Sequence, residues 1–468
     1  MRAAVVHPDA TVGAVQRRAL PPVVPAPGLV EFDADAMASR ALEAAAAALA
    51  GAGPVEAVGV TNQRGSAVVW DARSGKALGP GLGWQDLRTV GTCLELQAEG
   101  IRLAPNESAT KVAWLLDNHA PARPDSVRWG TVDSWIVWHL TRGAAHVSDH
   151  TNAGITGLLA SSGTRWNEER GARLGIPDFA APRLVDSSGI VGPAVALPGA
   201  PPIAGIIGDQ QASLLGQGCT RPGMTKITFG TGAMLDVALG PERPRFEVRG
   251  GQGCFPIVTR SQKGALQWGA EAIMLAAGTA VDWLVEDLEI LSCAAESEEV
   301  AAACADTEGV VMVPALNGLG APAWDFGARG TVFGLARGAK RAHLVRAVLE
   351  GVAQRGADLV DAAQADTGLS ITELRVDGGM SANGVFVQAL ADATGRPIEV
   401  SPEIEATTLG AGFAAGLATG VWAGPEDIAA TWRPRATVDP DGPAQRERWQ
   451  QALERTRGWY PELSALGF

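Results

Sequence analysis

Two features in one stretch of chain could do chemistry together: the acidic side chain of Asp209 and the turn Gly230-Thr231-Gly232. Pro202 to Ile207 is a short apolar run ending in glycine. It predicts a strand that delivers Asp209, with Gln210 beside it, to a strand end where a cleft can use it. A carboxylate so placed could take a proton from a hydroxyl. Lys226 to Phe229 predicts a second strand, and the Gly-Thr-Gly turn after it lets backbone N–H groups and one hydroxyl approach a polyphosphate. Base and phosphate turn together suit phosphoryl transfer. A surface turn with Asp209 as an N-cap accounts for the same residues taken alone, so the rest of the chain must decide.

The elements that must position these residues alternate between strand and helix. Arg2 to Leu20 alternates in strand fashion with a turn near Asp9, and Asp33 to Leu49 is an alanine-rich helix leading to a strand at Val55 to Val60. Val68 to Trp70, a helix around Leu87 to Gln97 and a helix at Thr110 to Asp117 continue an α/β pattern to Cys219, with Gln217 to Gly223 as a linker. The second half restarts with a hairpin at Thr225 to Ala238. A helix from Glu271 to Glu286, a strand at Val310 to Pro314 and a long helix from Lys340 to Asp366 follow. A strand at Leu374 to Val376 then leads into Asp377-Gly378-Gly379-Met380-Ser381-Ala382-Asn383 and a helix to Thr394. Ile398 to Val400, a small-residue helix at Thr407 to Thr419 and a solvated closing helix at Ala444 to Arg457 complete the pattern.

Composition narrows the function classes. At 468 residues the chain exceeds what one hydrophobic core usually supports, so two domains with a cleft between them are expected. No window reaches the roughly 18 apolar residues of a membrane span, so no membrane role follows. The N-terminal MRAAVVHPDATVG has no apolar stretch before its His, Pro and Asp, so no secretory signal is expected and the cytoplasm is the expected location. Five cysteines without a C-x-x-C pair fit a reducing compartment and argue against structural zinc. A net charge of -13 with no basic cluster would repel a polyanionic backbone, so nucleic acid is not an expected partner, whereas a nucleotide with its magnesium is compatible.

Several separate segments resemble the FGGY family of carbohydrate kinases, most closely its glycerol kinase branch. They are TNQRGSAVVWD (61 to 71), WQDLRT (84 to 89), SATKVAWLLD (108 to 117), GTVDSWIVWHLT (130 to 141), GDQQASLLGQ (208 to 217), ITFGTG (227 to 232), GLGAPAWDFGARGTVFGL (318 to 335), RAHLVRAVLEGVA (341 to 353) and VDGGMSAN (376 to 383). They run in the family's order along nearly the whole chain. The resemblance implies an α/β fold of two actin-like (ribonuclease H-like) ATPase domains, at residues 1–218 and 219–468. The first would carry the hydroxyl substrate, a small polyol or sugar, and the second ATP with Mg2+. It implies Asp209 as general base, also meeting the magnesium of Mg-ATP, and Gly230, Thr231 and Gly232 as the phosphate turn. Gly278, Asp282, Gly379, Met380 and Asn383 fall on nucleotide-side positions, and Arg64, Trp84, Asp209 and Gln210 on the acceptor side. Oligomeric state is left open, a homodimer included.

The chain also departs from the glycerol kinase pattern. Gly65 stands where the motif has Glu, Asn106 where it has Tyr and Met234 where it has Phe, so polar contacts to a three-carbon triol are lost and the pocket loosens. A four- or five-carbon polyol or ketose is therefore expected in preference to glycerol. Family members begin with a strand and an Asp-x-Gly-Thr-Thr turn ahead of the segment matching Arg2 to Val6. The first domain is thus expected to lack that strand and phosphate turn, through a start codon placed too late. A chain that truly starts at Met1 would be weakly active, or a nucleotide- or sugar-binding regulatory relative. Three other patterns read as structure: Gly410 to Gly416 as close helix packing rather than a dinucleotide turn, His146 and His150 as non-metal residues, and Trp114, Trp135 and Trp138 as core.

Overall fold

The computed structural model describes residues 1–403 and 406–466. At the N-terminus, β1 (Arg2–Val6) and β2 (Val12–Arg17) form an antiparallel pair packed beside α1 (Ala34–Ala52), whose N-cap Asp33 accepts from the Ala36 N–H. Next come β3 (Val58–Asn62), α2 (Ala109–His119), β4 (Ser188–Pro193), β5 (Pro202–Gly208) and α3 (Asp209–Gly216). The hairpin β6 (Thr225–Phe229) and β7 (Ala233–Gly240) leads to β8 (Phe255–Gln262), β9 (Ala265–Met274) and α4 (Gly278–Asp282). The long α5 (Arg341–Thr367), β10 (Leu374–Asp377), α6 (Gly384–Thr394), β11 (Ile398–Val400), α7 (Ala406–Thr419), β12 (Ala436–Val438) and α8 (Arg446–Thr456) complete the framework.

Ten of these strands make one mixed sheet in the order β12-β11-β10-β6-β7-β9-β8-β4-β5-β3. Its residues alternate in character because successive side chains point to opposite faces. Ile227, Phe229, Ala233, Leu235, Val237, Ala270, Ala272 and Met274 enter the main apolar core with Val345, Val348 and Val352 of α5. The opposite face of β6, β7 and β9 carries Lys226, Thr228, Met234, Asp236 and Glu271. The register sets Lys226 opposite Asp236, and Asp236 opposite Glu271. At the other end, β3 and β5 run parallel and are covered by α7 at close range. A Cβ on Gly59 would lie 2.1 Å from Ala411 O, and one on Gly410 would lie 1.8 Å from Ala212 O. The glycines of 410–416 thus serve helix packing, as expected.

Two expected elements differ. Glu271 lies in strand β9, and the helical segment starts only at Gly278, because β9 is paired on both edges, by β7 and by β8. The closing helix α8 is not simply solvated: Trp449, Ala452 and Leu453 are buried against Val313 and Leu319, and Trp449 Nε1 donates to Asp358. Trp135 is fully buried, with its Nε1 donating to Ala34 O, while Trp114 and Trp138 pack at the edges of apolar clusters. His146 Nε2 is hydrogen-bonded to Trp129 O and His150 Nδ1 to Gly163 O.

Candidate active site

Ligands in open α/β sheets bind at the carboxyl ends of parallel strands, and the residues singled out above lie at two such pairs. The pair β3/β5 ends at Asn62 and Gly208, two residues before Arg64 and immediately before Asp209. The pair β6/β10 ends at Phe229 and Asp377, immediately before Gly230 and Gly378.

Asp209 opens α3, with its side chain 33% exposed. The Gln210 N–H donates to its Oδ1 at 2.8 Å, and Arg64 Nε stands 3.2 Å from the same oxygen. Burial by the surrounding protein pushes its carboxyl above the usual aspartate range, against the pull of Arg64, the Gln210 N–H and Lys226. Arg64, 8% exposed, also binds Glu271 Oε2 through Nη2 at 2.6 Å, while its Nη1 is buried without a hydrogen-bond partner. Burial opposes its charge, yet Glu271, Asp209 and Asp236 hold the guanidinium above its usual value. Glu271 in turn is pushed up by burial, with Asp236 across the strand adding to the effect and Arg64 opposing it.

Two of the expected acceptor-side residues, Trp84 and Asn106, meet at Gly65. This residue has φ +70°, and a Cβ on it would lie 2.3 Å from Asn106 O and 3.4 Å from Trp84 Cβ. The space vacated by the missing side chain is therefore filled by the backbone of the 104–107 loop. That corrects the expectation of a pocket loosened at Gly65. The loop is pinned from α2, where Lys111 Nζ donates to Pro105 O at 2.8 Å, and it is closed on itself by Glu107 Oε2, which accepts from Ala104 N at 2.7 Å. Burial pushes Lys111 down to about 7. Met234 lies on the polar face of β7, directly opposite Thr228.

On the other side, the Gly230-Thr231-Gly232 turn and the start of α4 are locked together. Gly230 O accepts from Gly278 N at 2.8 Å and Thr231 O from Ala277 N at 2.8 Å, and a Cβ on Gly278 would lie 2.6 Å from Gly230 O. Gly378, at φ +90°, presses the following loop against this turn, since its Cβ would fall 2.4 Å from Phe229 O. Beside Gly379 nothing lies within 4 Å, and beside Gly230 only Gly232 O at 3.8 Å. Two glycines thus border open space while two others allow backbone contact, which is the shape of a phosphate cradle. The side chains of three nucleotide-side candidates are placed as follows. The Met380 side chain is buried in the main core, Asn383 caps α6 through Phe386 N and donates to Ser297 Oγ, and Asp282 is exposed at the end of α4. For Met380 and Asn383, the side chains are committed to the protein itself.

Four functional candidates escaped sequence reasoning: Lys111, Lys226, Asp236 and Glu271. The signal for Asp236 and Lys226 was a lone charge in each of two apolar strands, AMLDVALG and TKITF. A charge there must be buried with a partner. For Glu271 the helical expectation concealed it.

Site and sheet together define a mixed α/β, two-domain kinase fold, and the comparisons agree. Residues 1–216 match the N-terminal domain of the FGGY family of carbohydrate kinases and residues 225–419 its C-terminal domain. The chain belongs to that family and is a carbohydrate kinase. It is 40% identical to a glycerol kinase of Aromatoleum aromaticum, covering 98% of this chain and 97% of that protein. Among solved structures it resembles Plasmodium falciparum glycerol kinase with ADP (TM-score 0.88, 26% identity, 96% of this chain and 94% of that one). A xylulose kinase from Brucella ovis is similar as well (TM-score 0.85, 25% identity, 100% and 97%). Among the described residues, no helix is long and apolar enough to cross a membrane.

Proposed function

We propose that the chain transfers the terminal phosphoryl group of ATP to a hydroxyl of a small polyol or ketose, with Asp209 as general base. The observation that carries this reading is the setting of Asp209: a carboxylate at a strand end, raised by burial, and held by Arg64 and a backbone N–H. A raised carboxyl is a better base, and a hydroxyl hydrogen-bonded to it loses its proton as oxygen attacks phosphorus. Arg64 Nη1, buried and unpaired, is a donor available to an acceptor hydroxyl, and Gln210, Trp84, Asn106, Gly65 and Met234 are assigned to the same acceptor side. The acceptor side is assigned mainly to residues 1–218, with Met234 added from the second part, and the nucleotide side to 219–468. There the Gly230-Thr231-Gly232 turn and Gly379 receive phosphates through backbone N–H groups, Gly278 supports the turn by donating its own N–H to Gly230 O, and Met380 and Asn383 contribute backbone rather than side chain.

Magnesium supplies charge neutralisation on the phosphates, and it keeps several waters while taking one or two protein carboxylates. Asp209 fits that part, since its carboxylate is partly exposed. Asp377 fits it poorly, its two oxygens accepting from Thr228 and Ser213.

The names of the relatives point to glycerol and to xylulose, while the changes at Gly65, Asn106 and Met234 favour a four- or five-carbon acceptor. The carbonyl of Asn106 filling the space at Gly65 limits how much longer that acceptor can be. An ADP-release assay over glycerol, tetritols, pentitols and pentuloses decides it. Acceptor-dependent turnover greatest with a four- or five-carbon compound supports the size preference, and glycerol as best substrate refutes it. ATP binding with no turnover on any acceptor would instead favour a nucleotide-binding relative without catalysis.

A further inference from the structure

The buried ammonium of Lys226 has no task in the reading above. It sits at the second position of β6, 0% exposed, on the face that carries Met234. An ammonium out of water is tolerated only when its three N–H groups find acceptors. Nζ donates to Gln210 Oε1 at 2.6 Å, to Thr228 Oγ1 at 2.9 Å and, at longer range, to Met234 O at 3.5 Å, and it lies 2.7 Å from Asp236 Oδ2 as an ion pair rather than an aligned hydrogen bond. Thr228 Oγ1 donates its own proton to Asp377 Oδ1 at 2.5 Å, which leaves the hydroxyl oxygen free to accept from Lys226. Every direction in this chain is then settled, and one consequence reaches the acceptor pocket. Gln210 must turn its carbonyl end to Lys226, because the opposite orientation would set donor against donor.

We propose that Lys226 is a positioning residue. It fixes the Gln210 amide so that the nitrogen faces the acceptor, and Gln210 then recognises an acceptor oxygen, hydroxyl or ketone, through N–H donors. The proposal rests on the reading of Gln210 as an acceptor-side residue. Lys226 itself is fully buried and touches no substrate, and Asp236 is its counter-ion.

The test is a double-mutant cycle between Gln210→Ala and the neutral pair Lys226→Met/Asp236→Asn, which removes cation and counter-ion together and so avoids an uncompensated buried charge. With the best acceptor of the panel, each should raise the acceptor KM about tenfold, the scale of one hydrogen bond, with kcat and the ATP KM within about twofold. In the Gln210→Ala background the neutral pair should add nothing. A merely structural role would give the same extra loss with or without Gln210, and that result overturns the proposal, as does an unchanged acceptor KM. Lys226→Met/Asp236→Leu, an apolar pair, replaces the first variant should it not fold. A crystal structure of the neutral variant is the readout that needs no turnover: Gln210 should leave its rotamer, and an unmoved Gln210 overturns the proposal. If the wild-type chain phosphorylates nothing, the functional reading fails while the rotamer still decides what Lys226 does.

Discussion

Substituting Gly65 by alanine is the sharpest perturbation of the acceptor side, since it adds one carbon and no charge. The residue sits at φ +70°, a conformation that costs an L side chain about 1–2 kcal/mol. The new Cβ would lie 2.3 Å from Asn106 O, and ordinary contact begins at 3.4 Å, so one side must retreat by about 1 Å. The 104–107 loop cannot yield freely. Leu103 before it is buried, Lys111 holds Pro105 O, and Glu107 ties back to Ala104 N. A shift of about 1 Å in a substrate-positioning group can cost 100-fold in rate. Gly65→Ala should therefore lower kcat/KM for the acceptor by about 10- to 100-fold, a loss of about 1.4–2.7 kcal/mol of transition-state stabilisation. The ATP KM should stay within about twofold, because the nucleotide turns lie on other strands. Steady-state kinetics with each substrate varied in turn measures both. An unchanged acceptor kcat/KM would mean that position 65 borders open space, and the argument for a filled pocket wall would be lost.

Three further outcomes follow from the same geometry. Asp209→Asn should cut turnover by about 100-fold or more while ATP binding, followed by calorimetry, persists. In the wild type, acceptor kcat/KM should fall as pH drops through a value above the usual 3.8 of an aspartate, because burial raises this carboxyl and only the ionised form is a base. A pH profile with no acid limb above that value would remove Asp209 from the proton transfer. Gly278→Ala, whose Cβ would fall 2.6 Å from Gly230 O, should raise the ATP KM about tenfold or more and leave the acceptor KM alone; the reverse pattern would misplace the phosphate turn. Away from the site, burial and the neighbouring Asp149 push the Asp133 carboxyl up to about 6 from 3.8. The folded chain then holds this proton more tightly than the unfolded one, so the contribution is full below 3.8 and is lost as pH rises to about 6, about 3 kcal/mol in all. Urea midpoints from pH 4 to 7 should fall less with rising pH in Asp133→Asn than in the wild type, and parallel curves would contradict the shift.

How much of this could be read from the chain alone depended on whether the information was local. Asp209 at a strand end, the Gly-Thr-Gly turn and the hairpin around it follow from a few consecutive residues, so they were legible, as was the long helix α5. Glu271 was not. The run WGAEAIM favours helix by composition, and it becomes strand only because β7 and β8 claim both its edges, a fact held by residues elsewhere in the chain. The same non-locality hid Lys226, Asp236 and Glu271 as one row. Each looks like an isolated charge, and only the register that sets 226 opposite 236, and 236 opposite 271, makes them neighbours. Glycine misled in a more specific way. A missing side chain reads as vacant volume, but at Gly65 the backbone of another segment occupies it, just as a neighbouring helix fills the space at Gly410, where close packing was expected. The stripe Trp449, Ala452, Leu453 of α8 was missed for a different reason: its spacing is helical and local, but the surrounding charges made the whole helix read as solvated. Pocket shape at the proposed acceptor site is thus set by which backbone comes closest, and the residue most able to change it there is one with no side chain at all.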